Sequence, residues 1–109
     1  MRRFGQVIRV RPEAEADYRK IHVQIWPVIE EAIREAGIRR YSIFLKDGML
    51  FAYYEYHGSD EEFDARMAKL AQVSRDSGWW DLTEPMQELL ETRRPDEWWA
   101  NMDEVFHQD

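Results

Sequence analysis

The sequence predicts an α+β fold in which helices cover one face of an antiparallel sheet. Three observations lead to this prediction. Short segments rich in β-branched and aromatic residues alternate with longer segments of helical periodicity. Two of the short segments are joined by an Asp-Gly pair, which is typical of a tight antiparallel hairpin. The chain has 109 residues, of which 44% are hydrophobic, and this size suits a single domain spanning residues 1–109.

The N-terminal part predicts a strand followed by a long, interrupted helix. Residues 4–10 are rich in β-branched side chains and form the expected strand, which ends before Pro12. From Pro12 to Gly37 apolar residues recur at helical spacing, and glycine is favourable just after a helix C-terminus. Pro27 lies inside this segment and lacks a backbone N–H. We therefore expect a kink or a new helix start at Trp26-Pro27.

A hairpin follows. Residues 40–45 and 49–56 are β-prone and flank Asp47-Gly48. Apolar side chains alternate onto both sides of residues 49–56. We therefore expect both faces of this sheet to be covered.

The remainder predicts two helices and a strand. Ser59 and Glu62 have the spacing of a capping box, so a helix begins there and continues to about residue 74. A second helical stretch begins at Trp79 and carries apolar residues as far as Leu90. Residues 103–107 form the expected last strand.

The resulting order, β-α-β-β-α-(α)-β, is that of the ferredoxin-like split βαβ fold. In this fold an antiparallel sheet carries helices on one face, so a single chain leaves the other face bare. Because aromatic residues point to both faces, we expect two copies to close sheet against sheet into a dimeric α/β barrel, a homodimer.

The amino-acid composition argues against several kinds of binding partner. The net charge is −7, from 22 acidic and 15 basic residues, so a phosphate-rich nucleic acid is not an expected partner. There is no cysteine for a disulfide or a thiolate metal site. Arg9 and Arg11 interrupt the N-terminal apolar run, which is not typical of a signal peptide, and no run reaches membrane-spanning length. We expect a cytoplasmic protein with no membrane partner.

Two groups of residues could carry chemistry. Tyr18, His22 and Trp26 are four residues apart and would lie on one face of the first helix. His22 either packs in the interior as a satisfied histidine or transfers a proton, because its ordinary pKa lies near neutrality. The second group is Trp79-Trp80, which either anchors a helix or presents an indole face to a sugar ring.

The remaining motifs are less informative. Trp98-Trp99 raises the same question as the first tryptophan pair, and packing is favoured there. The three histidines lack metal-site spacing, and the glycine motifs of nucleotide sites and the GxSxG motif are missing. What is left is chemistry by side-chain acids, bases and hydrogen bonds, with no metal and no cofactor.

Several of these residues occur together in a known family. Residues 18–27 (YRKIHVQIWP) resemble the first-helix motif of the L-rhamnose mutarotases, and residues 36–43 (AGIRRYSI) resemble the strand that follows it. Residues 50–52 (LFA), the Trp79-Trp80 pair and residues 104–106 (EVF) occur in the matching order. The resemblance covers nearly the whole chain. The hairpin is shorter than in the rhamnose enzymes, and the segment MAKLAQVSRDSG is longer.

The resemblance implies an isomerase that interconverts the α and β anomers of a small 6-deoxy sugar, L-rhamnose or L-fucose, in a dimeric ferredoxin-like fold without a cofactor. It implies that His22 is the catalytic proton donor, and that the sugar is bound by Tyr18, Tyr41, Trp79 and Trp80. The general base is open between Tyr18, a nearby carboxylate and water.

Two other functions fit the same residues. Small dimeric α+β-barrel monooxygenases and haem-degrading proteins share the order of elements, and His22 would then ligate iron or orient an oxidisable substrate. A non-catalytic sugar-binding module would use the same aromatic residues without accelerating anomer exchange. The resemblance favours the mutarotase.

Overall fold

The strands of the chain form one antiparallel sheet in the computed structural model, which describes residues 1–109. The strands are β1 Arg2–Val10, β2 Ile38–Lys46, β3 Met49–Tyr56, β4 Gln87–Glu88 and β5 Ala100–Met102. Their order in the sheet is β2-β3-β1-β4, and the short strand β5 pairs with the same edge of β1 that carries β4. This is the predicted ferredoxin-like arrangement.

Four α-helices accompany the sheet. The helices are α1 Glu15–Ile21, α2 Pro27–Glu35, α3 Phe63–Asp76 and α4 Trp79–Thr83. One short 3-10 turn, Pro12–Ala14, precedes α1, and another, Glu84–Met86, follows α4. None of the helices combines the length and the apolar character needed to cross a membrane.

The predicted interruption near Pro27 is a complete break. The first helix ends at Ile21, and the second begins at Pro27 with Trp26 extended at φ −61° and ψ 136°. Proline suits this first helical position, where its missing N–H would have had no acceptor, and it holds the preceding residue extended. Trp26 therefore does not continue the helix face that carries Tyr18 and His22, which corrects the prediction of one continuous stripe.

The hairpin is confirmed. Asp47 and Gly48 have φ of 51° and 74°, the left-handed pair that a tight two-residue hairpin turn requires. The register pairs Lys46 with Met49 and continues along β2 and β3 to a bulge between Arg39 and Ser42.

The two faces of the sheet differ. The helix-facing side holds the core, in which Ile8, Leu50 and Tyr56 are fully buried. On the opposite side Phe44 pairs with Phe51, and these residues expose 65% and 38% of their surfaces. The expectation that both faces would be covered is therefore not met within one chain.

Two C-terminal predictions are wrong. The helix that begins at Trp79 ends at Thr83 instead of reaching Leu90, because Pro85 cannot donate the hydrogen bond that would extend it. The last strand is Ala100–Met102, not residues 103–107. Val105 and Phe106 are 95% and 77% exposed, so their β-prone pattern has no surface of this chain to pack against.

Candidate active site

A cavity of about 170 Å³ opens on the helix-facing side of the sheet. Its walls come from α1, α4, β2 and the segment that runs from Thr83 to Trp99. All five residues predicted for the site line it, although they are far apart in the sequence. The lining residues are Tyr18, His22, Tyr41, Ile43, Trp79, Trp80, Thr83, Glu84, Gln87, Trp98 and Trp99.

The imidazole of His22 is held in one tautomer. Its Nδ1 lies 2.8 Å from the backbone oxygen of Tyr18. A carbonyl only accepts, so Nδ1 carries the proton and Nε2 keeps a free lone pair in the neutral ring. Burial lowers the pKa of His22 below its ordinary 6.5, and the bond to the Tyr18 carbonyl opposes this shift. At pH 7 the residue is therefore mainly neutral, with one basic nitrogen.

Aromatic rings fix the plane of that imidazole. The rings of Tyr18 and His22 stack with centroids 4.2 Å apart, and Trp79 approaches His22 edge-on at 5.5 Å. The same Trp79 ring contacts Trp26 at 5.2 Å. Trp79 thus closes the gap between α1 and α2 and is itself buried.

The tryptophan pair is brought to the cavity by a sharp turn between α3 and α4. Gly78 has φ of 87°, a left-handed conformation that strains any residue with a Cβ, and α4 begins at the next residue. The N–H of Trp79 donates to the Ser77 hydroxyl at 3.4 Å. Trp80 is only half-buried, so its ring is the more accessible of the two indoles.

A bulge in β2 places Tyr41. The register is Arg39 to Glu55 before the bulge and Ser42 to Tyr53 after it, so one residue is added to β2. Because of this extra residue, Tyr41 faces the helices, where its ring lies 5.2 Å from that of Tyr54. Tyr41 as a whole is 41% exposed. Its phenol group, however, lies among other groups of the chain, and this burial raises the pKa of Tyr41.

The phenol of Tyr18 is also kept protonated. Burial raises its pKa, and a hydrogen bond from Gln87 partly offsets the shift. At neutral pH, Tyr18 and Tyr41 are therefore both neutral hydroxyl groups that can donate to a ligand as well as accept from it.

Sequence reasoning missed part of the cavity wall. The sequence favours packing for Trp98 and Trp99, but both line the cavity, and Trp98 donates its indole N–H to the Gln87 side chain at 2.8 Å. The repeated Trp-Trp pair was a signal that could have indicated this. Glu84 is the one carboxylate in the lining. Glu84 and Gln87 lie in no recognisable motif, and only the folded chain brings them to this cavity.

The other two histidines do not line the cavity. Nε2 of His57 lies 2.7 Å from a Glu55 oxygen, and Nε2 of His107 lies 2.8 Å from an Asp109 oxygen. No three histidine, aspartate or glutamate side chains are grouped so that they could hold a metal ion.

The chain is similar to known proteins of one family. A family model described as L-rhamnose mutarotase matches residues 3–108. The chain is 34% identical to the L-rhamnose mutarotase of Lactiplantibacillus plantarum and 32% identical to that of Oceanobacillus iheyensis, each over the full length of both chains. The crystal structure of the L-rhamnose mutarotase from Formosa agariphila superposes with a TM-score of 0.73 at 22% identity, covering both chains completely. The chain belongs to the L-rhamnose mutarotase family.

Proposed function

We propose that the protein interconverts the α and β anomers of L-rhamnose by acid–base opening and closure of the sugar ring. The observation that carries this proposal is the state of His22: a neutral imidazole with a fixed tautomer and one free nitrogen, at the wall of an aromatic cavity. The family match supports the same activity and does not favour the monooxygenase or haem-degrading alternative.

The chemistry needs two proton transfers. A base removes the proton of the anomeric hydroxyl, the bond between C1 and the ring oxygen breaks, and an acid protonates the ring oxygen. Rotation about the C1–C2 bond and the reverse steps give the other anomer. In this scheme Nε2 of His22 takes the anomeric proton on opening and is the proton donor on closure. One positioned acid–base group accelerates such a reaction about 10²- to 10⁴-fold.

The sugar-binding roles of Tyr18, Tyr41, Trp79 and Trp80 are part of the proposal. An indole face packs against the apolar face of a pyranose, and its N–H and the two phenols supply hydrogen bonds to hydroxyl groups. The half-buried ring of Trp80 suits direct contact with the sugar, whereas buried Trp79 suits holding the His22 imidazole in place.

The second proton-transfer group is proposed to be Glu84. It donates a proton to the ring oxygen on opening and, as general base, takes that proton back on closure. The candidates for this group are Tyr18, a carboxylate and water, and Glu84 is the carboxylate that lines the cavity. The raised pKa of Tyr18 disfavours its losing a proton. Glu84→Gln should keep sugar binding and lower exchange at least about tenfold. Parental exchange in this variant would leave water in that role.

The activity has a direct test. Saturation-transfer NMR between the α and β anomeric protons of L-rhamnose measures exchange, and the purified protein should accelerate it in the presence of a chelator. L-Fucose, measured in parallel, distinguishes the two 6-deoxy sugars that the sequence left open. A protein that binds L-rhamnose but leaves its exchange at the buffer rate would instead be a sugar-binding module.

We also propose that the protein is a homodimer joined through the bare sheet face. Phe44, Phe51 and Met102 lie on that face, and Met102 exposes 43% of its surface. The exposed Val105 and Phe106 add apolar surface that this chain does not cover. Exposed apolar area of this kind is typical of an interface between copies. Light scattering should give twice the 13.2 kDa chain mass.

Two further proposals concern organisation and location. A single domain over residues 1–109 is supported by the one continuous sheet, and it predicts one cooperative unfolding transition. A cytoplasmic location is supported by a composition without cysteine, because many small secreted domains depend on disulfides. Fractionation of cells that express the protein tests it.

A further inference from the structure

We propose that Trp98 and Gln87 are positioning residues that set the direction of the Tyr18 hydroxyl, so that its proton points to an oxygen atom of the bound sugar. This inference rests on the proposed function, because it concerns how the same cavity recognises its substrate. It assigns a role to Gln87, which lies in no motif, and to Trp98 of the second tryptophan pair.

The chain of hydrogen bonds starts at Trp98. An indole N–H can only donate, and it lies 2.8 Å from Oε1 of Gln87. The Gln87 amide must therefore turn its oxygen toward Trp98 and its NH₂ group away from it. Gln87 is 6% exposed, so the reversed amide would bury two donors against each other with no acceptor. The orientation of this amide is thus fixed by the indole.

The same amide then fixes the phenol. Its NH₂ nitrogen lies 3.5 Å from the Tyr18 oxygen, and an NH₂ group can only donate. The phenol oxygen is therefore the acceptor, and its own proton is free for another partner. A separation of 3.5 Å is long for a strong bond. The contact therefore orients the Tyr18 hydroxyl group but adds little to stability.

No protein group accepts the Tyr18 proton, since Gln87 is the hydrogen-bond partner of that hydroxyl. Tyr18 lines the cavity, so the acceptor must come from what enters it. The ring and hydroxyl oxygens of a sugar are acceptors of this kind. Burial keeps the phenol protonated by raising its pKa, so the donor is present at neutral pH.

Gln87→Glu is the sharpest perturbation. It keeps the size of the side chain and an oxygen for Trp98, but it replaces the NH₂ donor with a carboxylate oxygen. That oxygen would accept the Tyr18 proton and turn it away from the sugar. We expect kcat/KM for L-rhamnose exchange to fall about tenfold, the factor for one lost hydrogen bond. Gln72→Glu adds the same charge on the exposed side of α3 and should leave kcat/KM at the parental value.

The pH dependence separates positioning from a packing defect. When the introduced carboxyl group is protonated, it can donate to Tyr18 again. The ratio of parental to variant kcat/KM should therefore shrink as the pH falls through the pKa of that group. A variant that is only less well packed would show a ratio independent of pH, and that result would overturn the inference.

A double-mutant cycle tests whether Trp98 acts on Tyr18 through Gln87. It also replaces the first experiment if Gln87→Glu does not fold. Trp98→Phe keeps an aromatic ring but removes the indole N–H, and it should lower kcat/KM about threefold in the parent. In a Gln87→Leu background it should have no further effect, because the amide it orients is gone. Equal losses in both backgrounds, or parental kcat/KM in Trp98→Phe, would overturn the inference. If the parent itself does not exchange L-rhamnose, the proposed function fails and this inference fails with it.

Discussion

Replacement of His22 by asparagine separates a catalytic role from a packing role. Asparagine keeps an N–H that can reach a carbonyl and approximates the volume of the ring, but it does not titrate near neutral pH. If Nε2 of His22 transfers the anomeric proton, exchange of L-rhamnose should fall at least about 10²-fold in the variant, the contribution of one acid–base group.

The cost to stability should be small by comparison. His22 is half-buried, and what asparagine loses is the stacked contact with Tyr18 at 4.2 Å and the edge contact with Trp79. Aromatic pairs of this kind contribute about 0.5–1.5 kcal/mol each beyond their buried area. The two contacts together contribute about 1–3 kcal/mol, and each kcal/mol lowers the Tm of a chain of this size by roughly 4–8 °C, which leaves the protein folded at 25 °C.

Three measurements on the same sample decide the matter. Thermal unfolding gives the change in Tm, L-rhamnose titration followed by tryptophan fluorescence gives binding, and saturation-transfer NMR gives exchange. We expect a folded variant that binds sugar and exchanges it slowly. A folded His22→Asn protein with near-parental exchange would remove His22 from the mechanism and direct attention to Glu84.

Three other predictions concern the same site and the bare sheet face. Only neutral His22 can take the anomeric proton, and burial lowers its pKa below 6.5. The exchange rate should therefore fall as the pH drops through that pKa, and a rate that rises with acidity would contradict this. Trp80→Ala should keep the fold and weaken sugar binding about tenfold, which a sugar titration measures. Trp79 is buried, so Trp79→Ala should lower the free energy of unfolding by about 3–5 kcal/mol, which chemical denaturation measures. Phe44→Glu should shift the scattering mass from dimer to monomer, with exposed Val23→Glu as the matched control; a dimer that persists in Phe44→Glu would move the interface elsewhere.

Sequence reasoning succeeded where one or two residues determine local geometry. Asp47-Gly48 predicted the hairpin because few residues accept left-handed backbone angles, and Pro27 predicted the break because it cannot donate a hydrogen bond. The placement of His22 beside Tyr18 also follows from local spacing, since these residues lie within one turn of each other.

Prediction failed where a residue's environment comes from distant parts of the chain. Gln87 meets Tyr18 across 69 positions of sequence, and no local pattern encodes that contact. The strand predicted at residues 103–107 is wrong for a related reason. Its adjacent apolar residues indicated burial, but the surface that could bury Val105 and Phe106 is not in this chain.

The short length of α1 has a consequence for the chemistry of His22. In a helix that continued, the Tyr18 carbonyl would accept the backbone N–H of His22, four residues later. Here that N–H turns to the Arg19 oxygen at 3.2 Å, which leaves the Tyr18 carbonyl to the imidazole of the same residue. An unfinished helical turn thus supplies the acceptor that selects the tautomer. Pro27, which lies five residues after His22, keeps that acceptor available because it prevents α1 and α2 from merging. A substitution there could change the acid–base behaviour of His22 while every residue lining the cavity stays the same.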